Sequence, residues 1–302
     1  MTNNTFIILD APAVLHRAWH ALPKLTSPKG ITVNALYGFS VLLLKIIREF
    51  QPEYLTCAFD YPGPTFRHKI YKDYKATRIP QPQEFYDQIP LSKKLLDVFK
   101  IKSWEQKGYE ADDIIAQLKN STPPKILKII VTGDTDSFQL IDKQTKVYFL
   151  KRGINKIQIY DENAVKEQFG LTPKQLIDFK SLKGDPSDNI PGIPGIGEKT
   201  ALQLLKKFGT IENIYEHLKL PENSWQIKPS LGKSLLKNKE KVVLAKNLIE
   251  LKNNKKIKAD YKECQVKPFD LKEVKKFLEE FGFKSLISKI ESLPKKKQSK
   301  LL

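Results

Sequence analysis

Three short apolar runs that each end in an aspartate constrain this chain most. Phe6 to Leu9 runs into Asp10, Tyr54 to Phe59 into Asp60, and Lys125 to Val131 into Thr132, Gly133 and Asp134. Runs this short and this apolar read as strands buried on both faces. Between them lie segments of helical period, such as Val33 to Phe50 with Leu36, Phe39, Leu43, Ile46 and Ile47 on one side. Alternating strands and helices predict an α/β domain around a mainly parallel sheet. Ligands bind such sheets at the carboxyl ends of the strands, and that is where the acids fall.

Punctuation along the chain suggests three regions. Residues 1–170 carry the strands and close with strand-like pieces at Val147 to Leu150 and Ile154 to Tyr160, after which Asp161 caps a helix. Within them, residues 61–90 are rich in Pro, Tyr and basic side chains and lack a clean apolar face, so they should stand off the core as a loop or arch. Residues 171–290 read as helical throughout, starting at Thr172-Pro173 and interrupted by a Gly/Pro-rich loop from Lys183 to Gly197. Residues 291–302 form a basic tail.

The acids carry the chemistry. Asp10, Asp60 and Asp134 should converge, and Asp136 follows closely. Glu110 and Asp113 share one helix face beside Asp112, and Asp185 and Asp188 sit in the Gly-rich loop. Like charges crowded into one cleft need cations to compensate them. Oxygen-only ligands select hard ions, so Mg²⁺ is expected, with Mn²⁺ as a substitute. Two such ions hydrolyse phosphodiesters. The remainder is strongly basic: 52 Lys and Arg against 34 Asp and Glu leave a net charge of +18, which suits a polyanionic partner such as nucleic acid.

Two further features point the same way. In Ile190-Pro191-Gly192-Ile193-Pro194-Gly195-Ile196-Gly197-Glu198-Lys199-Thr200, a glycine-rich hairpin opens onto a helix N-terminus, where backbone N–H groups can approach a phosphate. The six-residue spacing and preceding strand of a P-loop are missing. In Phe66-Arg67-His68-Lys69 and Tyr74-Lys75-Ala76-Thr77-Arg78, aromatics interleave with cations, as needed to stack a base and hold the phosphates of a single strand.

Together these motifs resemble the 5′-3′ exonuclease domain of bacterial DNA polymerase I and its relatives, the phage and cellular flap endonucleases. The resemblance runs from about Phe6 to Phe283. It is carried by Phe59-Asp60, Phe66-Arg67 with Tyr74-Lys75 and Arg78, Gly108-Tyr109-Glu110-Ala111-Asp112-Asp113, Thr132-Gly133-Asp134-Thr135-Asp136, and Gly184-Asp185-Pro186-Ser187-Asp188-Asn189 leading into the hairpin. It implies a PIN-like (resolvase-like) domain with a helical arch, then an all-α helix-hairpin-helix region of the helix-three-turn-helix kind. The implied activity is structure-selective 5′-3′ exonuclease and 5′-flap cleavage in replication and repair. By the same resemblance, Asp10, Asp60, Glu110, Asp112 and Asp134 surround a first ion, and Asp136, Asp185 and Asp188 hold a second with Asp113 nearby. Lys75, Arg78 and Arg17 contact the scissile phosphate. Tyr74 and Arg67 bind the substrate strand, and Gly192, Gly195, Gly197, Lys199 and Thr200 bind duplex, with a K⁺ ion at the hairpin. Ala11-Pro12 stands where the family usually has Gly, and Thr135 where a basic residue is frequent.

The implied partners are DNA with 5′ flaps, nicks or free 5′ ends and RNA primer–DNA hybrids. The chain reaches Leu302 without a polymerase segment, so a freestanding, monomeric, cytoplasmic enzyme is expected, associated with the nucleoid during replication. No run approaches the length of a membrane span. A non-catalytic DNA-structure-binding protein and a ribonuclease of the related acidic-site fold are the competing classes. The scattered His16, His20, His68 and His217 are expected to be structural or on the surface, and Trp19, Trp104 and Trp225 to pack. Cys57 and Cys264 are too few for a disulfide framework or a zinc cluster, and Cys57 is expected in the core.

Overall fold

The computed structural model describes residues 4–153 and 156–293. A six-stranded sheet is formed by β1 (Thr5–Asp10), β2 (Tyr54–Ala58), β3 (Lys102–Trp104), β4 (Leu127–Thr132), β5 (Thr145–Arg152) and β6 (Lys156–Tyr160), in the spatial order β3-β2-β1-β4-β5-β6. Neighbouring strands are parallel except β6, which runs antiparallel to β5. Because β1 lies between β2 and β4, successive crossovers depart from it in opposite directions. The carboxyl end of β1 is therefore the topological switch point, and Asp10 sits on it.

The helices before the sheet closes are α1 (Ala11–Ala21), α2 (Asn34–Phe50), α3 (Phe66–Ile70), α4 (Gln83–Tyr86), α5 (Gln88–Val98) and α6 (Ala111–Ser121). Then follow α7 (Glu162–Phe169), α8 (Gln175–Lys183), α9 (Glu198–Phe208), α10 (Ile211–His217), α11 (Pro229–Lys237), α12 (Lys239–Ile249), α13 (Leu271–Glu280) and α14 (Lys284–Glu291). Strand alternation divides the core. Ile7 and Leu9 of β1 face a layer built from α1, α2 and α5, while Phe6 and Ile8 face α6, α7 and the helices beyond.

Two boundaries differ from the sequence expectation. Helix α8 begins at Gln175 because Thr172 and Gln175 cap each other reciprocally, leaving Pro173 in the preceding turn. The helical region also divides. Helices α8 to α12 pack on the α6 side, whereas Val274, Phe277 and Leu278 of α13 and Leu286 and Ile290 of α14 return to the opposite layer against α2 and α5. Their apolar stripes find a larger buried face there. Ile154, Asn155 and most of the expected tail, residues 294–302, lie outside the described residues.

The segment 61–90 is anchored more firmly than a free arch. Arg67 and Tyr74 are each 2% exposed and Phe85 is buried against His16 and Trp19, while residues 76–80 stand in solvent, Ile79 at 86% exposure. Both feet are buried because these three side chains supply the apolar and ionic contacts that the polar stretch between them lacks.

Candidate active site

Helix N-termini place the first acids. Asp10 caps α1 by accepting from Ala13 N at 3.1 Å, with Pro12 in the first turn, and its other oxygen accepts from Thr132 Oγ1 at 2.6 Å. Glu110 caps α6, and Asp60 Oδ1 accepts from Ala111 N at 2.8 Å on the same turn. Asp134 follows β4 and accepts from Asp136 N at 2.9 Å. Asp10, Asp60, Glu110, Asp112 and Asp134 line one cleft of about 410 Å³ with Arg17, Lys75 and Arg78. Arg17 reaches it by donating to Gly133 O at 3.2 Å; a Cβ on Gly133 would lie 2.7 Å from Arg17 Nε, so this glycine makes room for the guanidinium.

The acids then separate by partner. Among the described residues, no Lys or Arg forms an ion pair with Asp10, Asp60, Asp112 or Asp134. Burial, with Asp134 and Asp60 adding repulsion, pushes the Asp10 carboxyl up to about 7 against the hydrogen bonds from Thr132 and Ala13. Burial and then Asp10, Asp134 and Asp136 hold Asp112 well above the ordinary range. The remaining acids are neutralised. Glu110 meets Lys75 at 2.8 Å, and Asp188 meets Arg78 at 2.6 Å and the Tyr74 hydroxyl at 2.9 Å. Lys180 lies between Asp136 and Asp185.

Three expected roles are corrected by this geometry. Asp113 faces away from the cleft: its two oxygens accept from Arg67 Nη2 and Nη1, both at 2.8 Å, and the latter oxygen also accepts from Glu110 N at 3.0 Å. Its lone pairs are committed to the fold. Arg67 also donates from Nε to Leu248 O at 2.7 Å and is buried, so it is an internal tie between α3, α6 and the end of α12 rather than a contact for a strand. Tyr74 is buried edge-on to His68, and its single hydroxyl proton lies within hydrogen-bond reach of both Glu110 and Asp188, which leaves no face for a base.

The hairpin also separates by role. A Cβ on Gly192 would lie 2.0 Å from Lys183 O, so Gly192 is needed for close backbone packing on residues 183–184. Gly195 takes a φ of +84°, the left-handed region that glycine favours, and nothing lies within 4 Å of a Cβ built there or on Gly197. Ile193 and Ile196 are buried and anchor the turn, while Gly195, Gly197 and Lys199 are exposed and Thr200 is half-buried at the start of α9.

His16 and His20 are exposed, as expected of structural or surface residues, yet they reach the cleft; Lys180 was not singled out. His16 and His20, one turn apart on α1, line the cleft, with ring centroids 6.3 Å apart. Their spacing after Asp10 was the available signal. Lys180 had none, because nothing in the sequence ties it to Asp136, 44 positions away, although Asp185 follows it by 5. His68 is structural as expected, its Nδ1 accepting from Thr65 N at 3.1 Å.

Models of the N-terminal resolvase-like domain and the C-terminal SAM fold of 5′-3′ exonucleases match residues 5–170 and 171–272. The chain belongs to the 5′-3′ exonuclease family. Among curated family relatives, it is 38% identical over 288 residues to DNA polymerase I of Bacillus caldotenax and 36% identical over 285 residues to that of Bacillus subtilis (strain 168). These matches cover 95% and 94% of this chain but 32% of each relative, so the chain spans about a third of their length. A bacteriophage T5 5′-exonuclease with divalent zinc ions bound superposes with a TM-score of 0.69 at 19% identity, covering 82% of this chain and 89% of that one. The catalytic core of Rad2 in complex with a DNA substrate gives 0.60 at 17% identity, covering 97% and 92%. These likenesses establish the fold: a PIN-like domain with a mostly parallel sheet, followed by a helical region.

Proposed function

We propose that this member of the 5′-3′ exonuclease family is a divalent-metal-dependent 5′-3′ exonuclease and 5′-flap endonuclease. One observation carries the proposal: Asp10, Asp60, Asp112 and Asp134, which form no ion pair with any Lys or Arg among the described residues, line a single cleft with Arg17, Lys75 and Arg78. Among the described residues, no three His, Cys, Asp or Glu side chains are drawn tightly enough together to hold a metal ion unaided. The donor chemistry nonetheless fits a hard ion. Every acid in the cleft offers oxygen, an added cation offsets the burial and the mutual repulsion that together raise Asp10 and Asp112, and an ion such as Mg²⁺ keeps several waters and needs only one or two carboxylates directly.

In this reading Asp10, Asp60, Asp112 and Asp134, with Glu110, hold the first ion, and Asp136, Asp185 and Asp188 are assigned to a second, as in the family resemblance. Bound there, Mg²⁺ or Mn²⁺ supplies Lewis-acid stabilisation for phosphodiester hydrolysis that leaves a 5′-phosphate. The chain's own residues do the rest. Lys75 at the anchored foot of the 61–90 segment, Arg78 just beyond it and Arg17 on α1 grip the phosphate. Gly195, Gly197, Lys199 and Thr200 meet the duplex backbone at the α9 N-terminus, where a K⁺ ion is also assigned. DNA with 5′ flaps, nicks or free 5′ ends and RNA primer–DNA hybrids are the proposed substrates, bound by a cytoplasmic monomer. No helix of the described residues is long and apolar enough to cross a membrane.

The test is cleavage of an end-labelled 5′-flap duplex with Mg²⁺, with EDTA, and by Asp134→Asn. Cutting by the wild type alone, with Mg²⁺ and a 5′-phosphate product, is expected. A wild type that binds the flap but never cuts it would establish the non-catalytic DNA-binding alternative, and cutting confined to RNA flaps would establish the ribonuclease.

A further inference from the structure

The acids assigned to a second ion are already satisfied from within. Lys180, on α8, directs its ammonium between Asp136 Oδ1 and Asp185 Oδ2, the latter at 2.7 Å. Asp185 Oδ1 accepts from Ser187 N at 3.0 Å and Ser187 Oγ at 2.5 Å, so both of its oxygens are engaged. Asp188 is closed by Arg78 and Tyr74. The Asp10, Asp60, Asp112 and Asp134 group has no such cation among the described residues. Two acidic clusters side by side thus differ in one respect that decides cation affinity.

We infer that Lys180 is a tethered counter-ion that competes with a divalent cation for the place between Asp136 and Asp185. The inference rests on the reading of the site as a divalent-cation centre and adds an order of filling. The first cluster takes an ion at low concentration, and the second does so only as Lys180 is displaced. A flexible four-carbon stem with three rotatable donors suits a group that must leave. Its solvent-accessible edge, at 22% side-chain exposure, gives it somewhere to go. Asp136 and Asp185 come from different segments, and Lys180 holds them together until then.

The experiment is a Mn²⁺ titration of the full chain without DNA, followed by electron paramagnetic resonance. The wild type should show one tight site and a second at least about tenfold weaker, and Lys180→Met should tighten the second by about tenfold or more. Adding Asp136→Asn to Lys180→Met should abolish the gain, and Lys180→Arg, which keeps the charge, should stay close to the wild type. Equal stoichiometry and affinities in the wild type and Lys180→Met would overturn the inference. If Lys180→Met unfolds in EDTA, its refolding midpoint against Mn²⁺ reports the same affinity, since ion binding is then coupled to folding. A variant still unfolded at saturating Mn²⁺, with Lys180→Gln behaving alike, would make Lys180 a structural tie and overturn the inference too. A wild type that binds no Mn²⁺ refutes the reading of the site as a metal centre, whereas two equal sites refute only the order of filling.

Discussion

Arg67→Ala separates the structural role of this residue from the strand-binding role its sequence context suggests. The guanidinium is 2% exposed and makes two hydrogen bonds of 2.8 Å to Asp113, a longer one of 3.4 Å to Glu110 and one of 2.7 Å to Leu248 O. Burial opposes its charge, but Asp113 and then Glu110 more than offset that and hold it above its ordinary pKa. Truncation leaves the Asp113 carboxylate buried with only its backbone donor, and the loss of one partner from a buried ion pair costs about 3–5 kcal/mol. At about 2 °C per kcal/mol for a chain of this size, Tm in EDTA should fall by about 6–10 °C. Thermal unfolding followed by circular dichroism reads this directly. Arg67→Met combined with Asp113→Leu should recover most of the loss, because an apolar pair leaves no stranded charge. A Tm within about 1 °C of wild type, together with weaker flap binding and a salt slope reduced by about one counterion, would refute the argument and return Arg67 to the phosphate-binding surface.

Three other outcomes follow from the same geometry. Gly192→Ala should lower Tm by several degrees, since its Cβ would meet Lys183 O at 2.0 Å, whereas Gly197→Ala, with open space around it, should move Tm by no more than about 2 °C while weakening duplex binding in a fluorescence anisotropy titration. In EDTA, stability should fall as pH rises from about 4 to about 7. The Asp10 carboxyl, raised to about 7 by burial and neighbouring acids, holds its proton in the folded state but releases it near the ordinary 3.8 when unfolded; urea midpoints at each pH check this, and Asp10→Asn should flatten the dependence. Gly133→Ala should displace Arg17 from the cleft and slow flap cutting by about tenfold or more at saturating Mg²⁺ with little change in duplex affinity, measured by single-turnover cleavage.

Much of the fold was legible because it rests on local pattern. The unbroken run of β1 requires burial on both faces, and the sheet covers it on both. Asp10, Asp134 and Asp161 lie directly after apolar strands and before helices, where a carboxylate caps the first turn, and they do so here. The hairpin could be read from its glycines for the same reason. The reversal of α13 and α14 onto the first layer was not legible, since an amphipathic stripe states that a face is buried but not against which partner.

The site shows where pattern stops. Glu110, Asp112 and Asp113 are near neighbours in sequence with similar chemistry, and the sequence alone establishes that they are carboxylates at a helix start beside a strand edge. Only the tertiary structure decides that Asp113 is taken by Arg67, Glu110 by Lys75 and Tyr74, and that Asp112 is left facing the cleft. Asp136 likewise owes its cation to Lys180, 44 positions away on α8. Charge compensation acts over a few ångströms of space, and the cations at 2.8 Å from Glu110 and 2.6 Å from Asp188 lie 35 and 110 positions away along the chain. The sequence fixes which groups can ionise; the fold, by choosing their neighbours, determines which of those charges remain free to act.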